Sequence, residues 1–258
     1  MKNIFKTILT TLLITGTFQV NSAEKVELMK TDWSFKGLFG KFDRGSLQRG
    51  YQVYTEVCAS CHSMKYLSYR NLSEKGGPEF SIEQAKAIAA SFEVTDGPND
   101  DGEMFERSAK LSDKFVMPYA NEKEAQASNG GAYPPDMSVL AKARSGGVDY
   151  IYSVLLGYED PPAGVTLDDG VYYNKYMYGN NIKMAQPLSD GLVEYNDGTE
   201  ATEEQMAKDV STFLMWAAEP HLEARHQMGF KAILYLIILT ILVYFSMKKI
   251  WSRIESEV

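Results

Sequence analysis

The sequence predicts a mainly α-helical domain with long loop insertions, followed by one C-terminal transmembrane helix. Three observations carry this expectation. Apolar residues recur at helical spacing in several segments that open on capping signals. No stretch alternates as a half-buried strand would. One run near the C-terminus is apolar almost throughout. The 258 residues are 45% hydrophobic and 23% charged, as in globular proteins, which excludes a disordered chain. A mean hydropathy of −0.26 excludes a polytopic membrane protein and leaves room for one span. The formal charge of −8 argues against nucleic acid as a partner, since phosphate contact needs a basic face.

The first 23 residues have the layout of a secretory signal. Lys2 and Lys6 form the charged start, Ile8 to Phe18 the apolar stretch, and Val20-Asn21-Ser22-Ala23 the small residues near a cleavage point. A helix is expected over Asp43–Cys58, where Leu47, Tyr51, Tyr54 and Val57 share a face. Ser81 with Gln84 forms a capping box for a second, with Ala85, Ile88, Ala89 and Phe92 inward. Pro134-Pro135-Asp136 should open a short helix through Arg144, stopped by Gly146-Gly147. Asp149 should cap the next, which ends at Gly157. Thr202 with Gln205 starts a helix carrying Met206, Val210, Phe213, Leu214 and Ala217 on one face and ending before Pro220. Between these elements, residues 93–135 and 158–200 are rich in Gly, Pro, Asn and Tyr, and loops of that length are usually functional.

The apolar run is Gly229–Met247, with Lys231 as its single charge. At a helical rise its 19 residues span about 28 Å, close to the hydrocarbon thickness. Lys248, Lys249 and Arg253 follow at once, which puts the C-terminus on the cytoplasmic side. The expected organisation is a signal at 1–23, an exported domain at 24–228, a transmembrane anchor at 229–247 and a cytoplasmic tail at 248–258. Without the two lysines of the signal and the four basic and two acidic residues of anchor and tail, the exported domain keeps 20 basic and 32 acidic residues, net −12. An acidic exported surface suits a basic soluble partner, though it also serves solubility.

The chemistry concentrates in Cys58-Ala59-Ser60-Cys61-His62. Two thiols three residues apart can add to the two vinyl groups of one haem, and the histidine that follows can ligate its iron. A thioredoxin-like pair has the same gap but follows a strand and opens a helix, whereas this pair follows a helical pattern. A zinc site would need two more ligands, and the other histidines, His221 and His226, lie beside the anchor. Two exposed structural thiols would be a liability in an oxidising compartment. One motif means one covalently bound haem c, with an iron that takes or lacks a sixth ligand. Met206 and Met215 fall in a helix pattern and read as core. Met184, followed by Ala185-Gln186-Pro187 in the second long loop, is a candidate, and Met117-Pro118 is its main rival. A five-coordinate, ligand-binding haem is the other possibility.

Many segments, in order, resemble the cytochrome c1 family, the haem-bearing subunits of the ubiquinol–cytochrome c reductase (cytochrome bc1) complex. Leu47-Gln48-Arg49-Gly50-Tyr51-Gln52-Val53-Tyr54 is similar to the family's lead-in to its haem motif. Tyr69-Arg70-Asn71-Leu72, Asp96-Gly97-Pro98-Asn99, Asn129-Gly130-Gly131-Ala132 and Trp216-Ala217-Ala218-Glu219-Pro220 follow in family order, and the anchor lies where the family has it.

The resemblance implies a fold: a mainly α, cytochrome c-like haem domain with long loop insertions, in which the helices at 43–58 and 202–219 cross beside the haem. It implies Cys58 and Cys61 as covalent haem attachments, and His62 and Met184 as axial iron ligands. The family usually has a proline where Gln186 stands. Arg144 falls on the family's propionate-binding arginine and Tyr150 on the matching tyrosine, while Asn129 and Pro135 match pocket-lining residues. The implied function is single-electron transfer from a Rieske iron–sulfur protein to a soluble or tethered basic c-type cytochrome, with cytochrome b as the membrane neighbour. The chain would then be no enzyme on its own. It would sit in a bacterial inner membrane with the haem domain on the periplasmic side. Outside that complex, a membrane-tethered shuttle or a thiol–disulfide enzyme are the rival functions.

Overall fold

A computed structural model describes residues 26–255, so the expected signal at 1–23 lies outside the described residues. Helix α1 (Arg44–Glu56) begins where the Asp43 carboxylate accepts from the Ser46 N–H, and it buries Leu47, Gly50, Tyr51, Val53 and Tyr54. A 3-10 turn (Cys58–Ser60) follows directly. A second 3-10 turn spans Tyr69–Ser73, and α2 (Ile82–Ala90) carries the full Ser81/Gln84 capping box.

The first long loop is less irregular than its composition suggests. It folds as an antiparallel hairpin, β1 (Glu93–Asp96) with β2 (Phe105–Ser108), and then as α3 (Glu122–Ser128), capped by Asn121. Both were missed because neither is built on an apolar face. The strands are short and mostly exposed, and α3 buries Ala125 alone.

The helix expected from Pro134 to Arg144 shrinks to α4 (Leu140–Ala143). Residues 135–138 instead turn their backbone and side chains toward residues 62–66, and a segment so engaged cannot close helical turns on itself. Helix α5 (Val148–Leu156) starts from Gly147 rather than Asp149. Asp149 lies in its first turn, where its carboxylate accepts from the Trp33 indole and pairs with Lys36. A small second hairpin, β3 (Tyr172–Tyr173) with β4 (Asn181–Ile182), organises the other long loop.

Helix α6 (Glu203–Ala218) opens on Thr202, whose hydroxyl accepts from the Gln205 N–H. It crosses α1 at closest approach, where Gly50 lies against the Asp209 carbonyl. Their shared core is aromatic: Tyr51, Tyr54, Phe115, Phe213 and Trp216 pack at centroid separations of 5.5–6.2 Å. The crossing is pinned by Arg49, which donates to both Asp209 oxygens at 2.8 and 3.2 Å, with Ser46 on the same carboxylate. Asp209 has no exposed surface, and a buried carboxylate needs such partners. The expected pair of crossing helices is therefore present.

Helix α7 runs unbroken over Leu222–Glu255, beyond both ends of the apolar run. Within its Leu222–Ser252 stretch an 18-residue window has mean hydropathy 2.2 and is not buried by the rest of the chain, so the helix is long and apolar enough to cross a membrane.

Candidate functional site

The pair of cysteines sits where α1 gives way to a tighter turn. The Cys61 and His62 N–H groups both donate to the Cys58 carbonyl, at 3.1 and 2.9 Å, which winds the motif around one point. The motif thus follows a helix, the arrangement that separates haem attachment from a thioredoxin-like pair. The two thiols are not joined to each other. Burial, with a smaller push from Cys61, drives the Cys58 thiol up to about 12, the opposite of what a thiolate nucleophile needs. Among the described residues no three His, Cys, Asp or Glu side chains gather to hold a metal ion.

His62 is held from behind. Its Nδ1 lies 2.8 Å from the Pro135 carbonyl oxygen, so Nδ1 carries the proton and donates, leaving the Nε2 lone pair free for a metal. Burial holds the imidazole below the ordinary histidine range and keeps it neutral. Pro135 therefore acts through its backbone.

The next residue, Asp136, secures that backbone, and sequence reasoning had passed it over. Its carboxylate accepts from Ser63 Oγ at 2.8 Å, from the Lys65 N–H at 3.0 Å and from the Ser138 N–H at 3.0 Å. Ser138 Oγ accepts from the Tyr66 N–H, and the Met137 N–H donates to the Ser63 carbonyl. Residues 62–66 and 135–138 are thereby stitched together. The signal was present in the sequence as an aspartate two residues before a serine, the pattern of a local side-chain turn.

Met184 is half-buried and held on three sides. The Tyr158 hydroxyl donates to its carbonyl at 3.0 Å, Lys183 Nζ donates to the Gly130 carbonyl at 2.8 Å, and Gln186 Nε2 donates to Glu203 at 3.0 Å. Gln186 thus replaces the stiffness of a proline with a tether to the start of α6. Met117, the rival, is 49% exposed and shares a hollow with Cys61, Tyr133 and Pro134. Met206 is fully buried, as expected of a core residue.

The remaining expected residues are Tyr150, Arg144 and Asn129. The Tyr150 hydroxyl lies 3.3 Å from Met177 Sδ. Met177 in turn lines a hollow of about 450 Å³ with Asn181, Ile182 and Lys183, next to Met184. Arg144 is exposed at the end of α4, and the one hydrogen bond of its guanidinium among the described residues goes to the neighbouring Ala143 carbonyl, so it pairs with no carboxylate there. Asn129 ends α3, and its amide donates to the Ala125 carbonyl and the Tyr119 hydroxyl. Its side-chain nitrogen thus shapes the loop. The Lys183–Gly130 bond then links that loop to the Met184 segment.

The donor set is two unpaired thiols, one neutral imidazole with its second nitrogen free, and a tethered thioether. It fits a covalently attached haem. Residues 33–254 match the Cytochrome C1 family. Similar proteins include the cytochrome c1 of Rhodospirillum rubrum, 45% identical over 95% of this chain and 94% of its own length. The cytochrome b-c1 complex catalytic subunit of Candida albicans is 48% identical over 88% of this chain and 78% of its own length. The cytochrome b/c1 of Bradyrhizobium diazoefficiens is 52% identical over 85% of this chain, which spans only 35% of that protein's length. With the match running from the first buried tryptophan through the apolar helix, the chain belongs to the cytochrome c1 family.

Proposed function

We propose that this chain is a membrane-anchored monohaem c-type cytochrome of the cytochrome bc1 complex. It passes single electrons from a Rieske iron–sulfur protein to a soluble or tethered basic c-type cytochrome. The observation that carries the reading is His62, neutral and oriented by Pro135, at the end of a turn bearing two unpaired cysteines. The names of the Candida and Bradyrhizobium relatives, which join b and c1, support membership of that complex with cytochrome b as neighbour. Catalysis then belongs to the complex, and no substrate bond is made by this chain.

When bound, haem supplies a one-electron ferric–ferrous couple. The protein's own work is to hold and tune it. Cys58 and Cys61 would bind it through thioether links. His62 Nε2 and Met184 Sδ would ligate its iron, and the three tethers around Met184 favour it over the exposed Met117. The Nδ1 bond to Pro135 fixes the tautomer of His62 and strengthens it as a donor. Arg144, free of a carboxylate among the described residues, would supply positive charge for a propionate, and Tyr150 a hydroxyl. Asn129 shapes the loop that lines the pocket.

Residues 1–23 direct export, 24–228 form the periplasmic haem domain, 229–247 anchor it in the bacterial inner membrane, and 248–258 form the cytoplasmic tail. A denaturing gel stained for haem tests the core of this reading. A stained band near the chain's mass is expected, and Cys58→Ala with Cys61→Ala should abolish it. A band that keeps its stain without both cysteines would refute covalent attachment.

A further inference from the structure

The turn just before α1 carries two of the most exposed apolar side chains in the domain, and their place along α7 gives them a role. Leu38 is 58% exposed and Phe39 71%. They occupy the tip of a tight turn in which the Gly40 N–H donates to the Gly37 carbonyl at 3.3 Å. Turn tips ordinarily carry small or polar residues, and adjacent exposed large apolar ones call for a partner. The turn is built rigidly. Gly37 holds φ +88°, and a Cβ on Gly40 would meet the Phe35 carbonyl at 2.3 Å.

The loop descends beside α7 in register with it. At the top, the Phe42 N–H donates to Glu223 at 2.9 Å, and Arg44 pairs with both oxygens of Glu223 at 2.8 and 2.9 Å. One turn down, His226 Nδ1 lies 3.4 Å from the Gly40 carbonyl. A further turn down, the Phe39 ring packs on Phe230 at a centroid distance of 5.7 Å. Glu223 to Phe230 is seven residues, a descent of about 10 Å. Phe39 therefore reaches the level where the apolar run begins at Gly229, and where Lys231 marks the water boundary.

We propose that the Leu38–Phe39 turn is a second membrane contact, a wedge that enters the headgroup–acyl boundary of the leaflet from which α7 departs. The occupant of this apolar surface is the lipid bilayer, because the surface is continuous with the exposed apolar face of α7 through Phe230. Two attachment points, the helix and the wedge, restrict rotation of the domain about the helix axis and so set how its haem site faces the membrane. The inference rests on the reading of α7 as a membrane span.

The test uses the full-length holoprotein in phospholipid nanodiscs, with a nitroxide at Leu38→Cys and, separately, at Phe39→Cys. Both side chains are exposed, so neither change disturbs the core. The unsubstituted holoprotein should take up no label, since its thiols are held in haem links. Collision with oxygen, which concentrates in lipid, is compared with collision with a water-soluble nickel chelate. Glu83→Cys on α2 is the aqueous reference and Leu236→Cys on α7 the bilayer reference. Labels at 38 and 39 should show an oxygen-to-nickel ratio several-fold above the Glu83 site and below the Leu236 site. A ratio equal to that at Glu83, with Leu236 still lipid-like, overturns the wedge and leaves the span intact. Shielding from both reagents means that protein covers the turn, and overturns it too. A water-like ratio at Leu236 removes the span itself, and the wedge with it.

Discussion

Replacing Gly50 by alanine should destabilise the protein, although alanine is the better helix former. A Cβ at this position would stand 2.1 Å from the Asp209 carbonyl oxygen, 2.7 Å from its carbon and 2.8 Å from Phe213 Cβ. Ordinary contact begins near 3.4 Å, so α1 and α6 must part by about 1.3 Å. The obstacle is backbone, which no rotamer change relieves. Overpacking of this kind costs about 1–3 kcal/mol, and here it also stretches the buried Arg49–Asp209 pair. The helix propensity gained returns roughly 0.5–1 kcal/mol. A net loss of about 2 kcal/mol is expected, a fall in Tm of roughly 4–8 °C for a domain of this size. Gly45, in the first turn of the same helix, provides the control. A Cβ there meets no backbone, only Arg49 Nη1 and the Asp43 carboxylate, at 3.3 and 3.4 Å, the edge of ordinary contact. Gly45→Ala should therefore be neutral or raise stability by up to about 1 kcal/mol. Thermal unfolding of the detergent-solubilised holoprotein, followed by far-ultraviolet circular dichroism, measures both. A Gly50→Ala protein as stable as the parent would refute the close crossing of the two helices.

Three further outcomes are expected. Met184→Lys should keep the covalent haem but lower the midpoint potential markedly in a redox titration, because thioether ligation favours ferrous iron; an unchanged midpoint would transfer the role to Met117. Hydrogen bonds from Arg107 hold the Asp113 carboxyl down at about 2, and the Thr199 N–H with Arg49 does the same for Asp197. Both native values lie below the unfolded value of about 3.9, so their stabilisation is complete above about pH 4 and is lost as pH falls through 2. Acid unfolding of Arg107→Gln should accordingly begin at higher pH than that of the parent, and coincident curves would exclude the pair. The β1–β2 hairpin displays Asp100, Asp101 and Glu103 at its exposed tip, while Asp96 is neutralised by Arg107. If that tip steers a basic cytochrome, the stopped-flow rate should fall steeply as the Debye length shrinks from about 30 Å at 0.01 M to about 8 Å at 0.15 M. Asp100→Lys with Glu103→Lys should flatten the dependence, and a rate independent of salt in the parent would remove electrostatic docking.

What was legible in the sequence is what local rules govern. The 3.6-residue period of Leu47, Tyr51 and Tyr54, the capping pair Ser81–Gln84, the Thr202 cap and the unbroken apolar run each dictated an element wherever neighbours reinforced one another. The spacing Cys58-x-x-Cys61-His62 likewise pointed to its chemistry, because the attachment and ligation proposed for it need only five neighbouring residues. The local α3 and β1–β2 were illegible because almost no apolar side chains mark them. The 134–144 segment misled for another reason: its proline–aspartate start is a good helix opening, but the carbonyl of Pro135 and the carboxylate of Asp136 are claimed by residues some 70 positions earlier. Spacing alone leaves Met184 and Met117 as rivals, since both are loop methionines with a proline following, at Pro187 and Pro118. The folded chain tethers the Met184 segment at three places, to Tyr158, Gly130 and Glu203, which supports the reading of Met184 as the ligand proposed above. Periodicity, capping and motif spacing are properties of neighbours along the chain, whereas the back bond to His62, the close approach at Gly50 and the meeting of Phe39 with Phe230 join residues that only the folded chain brings within contact.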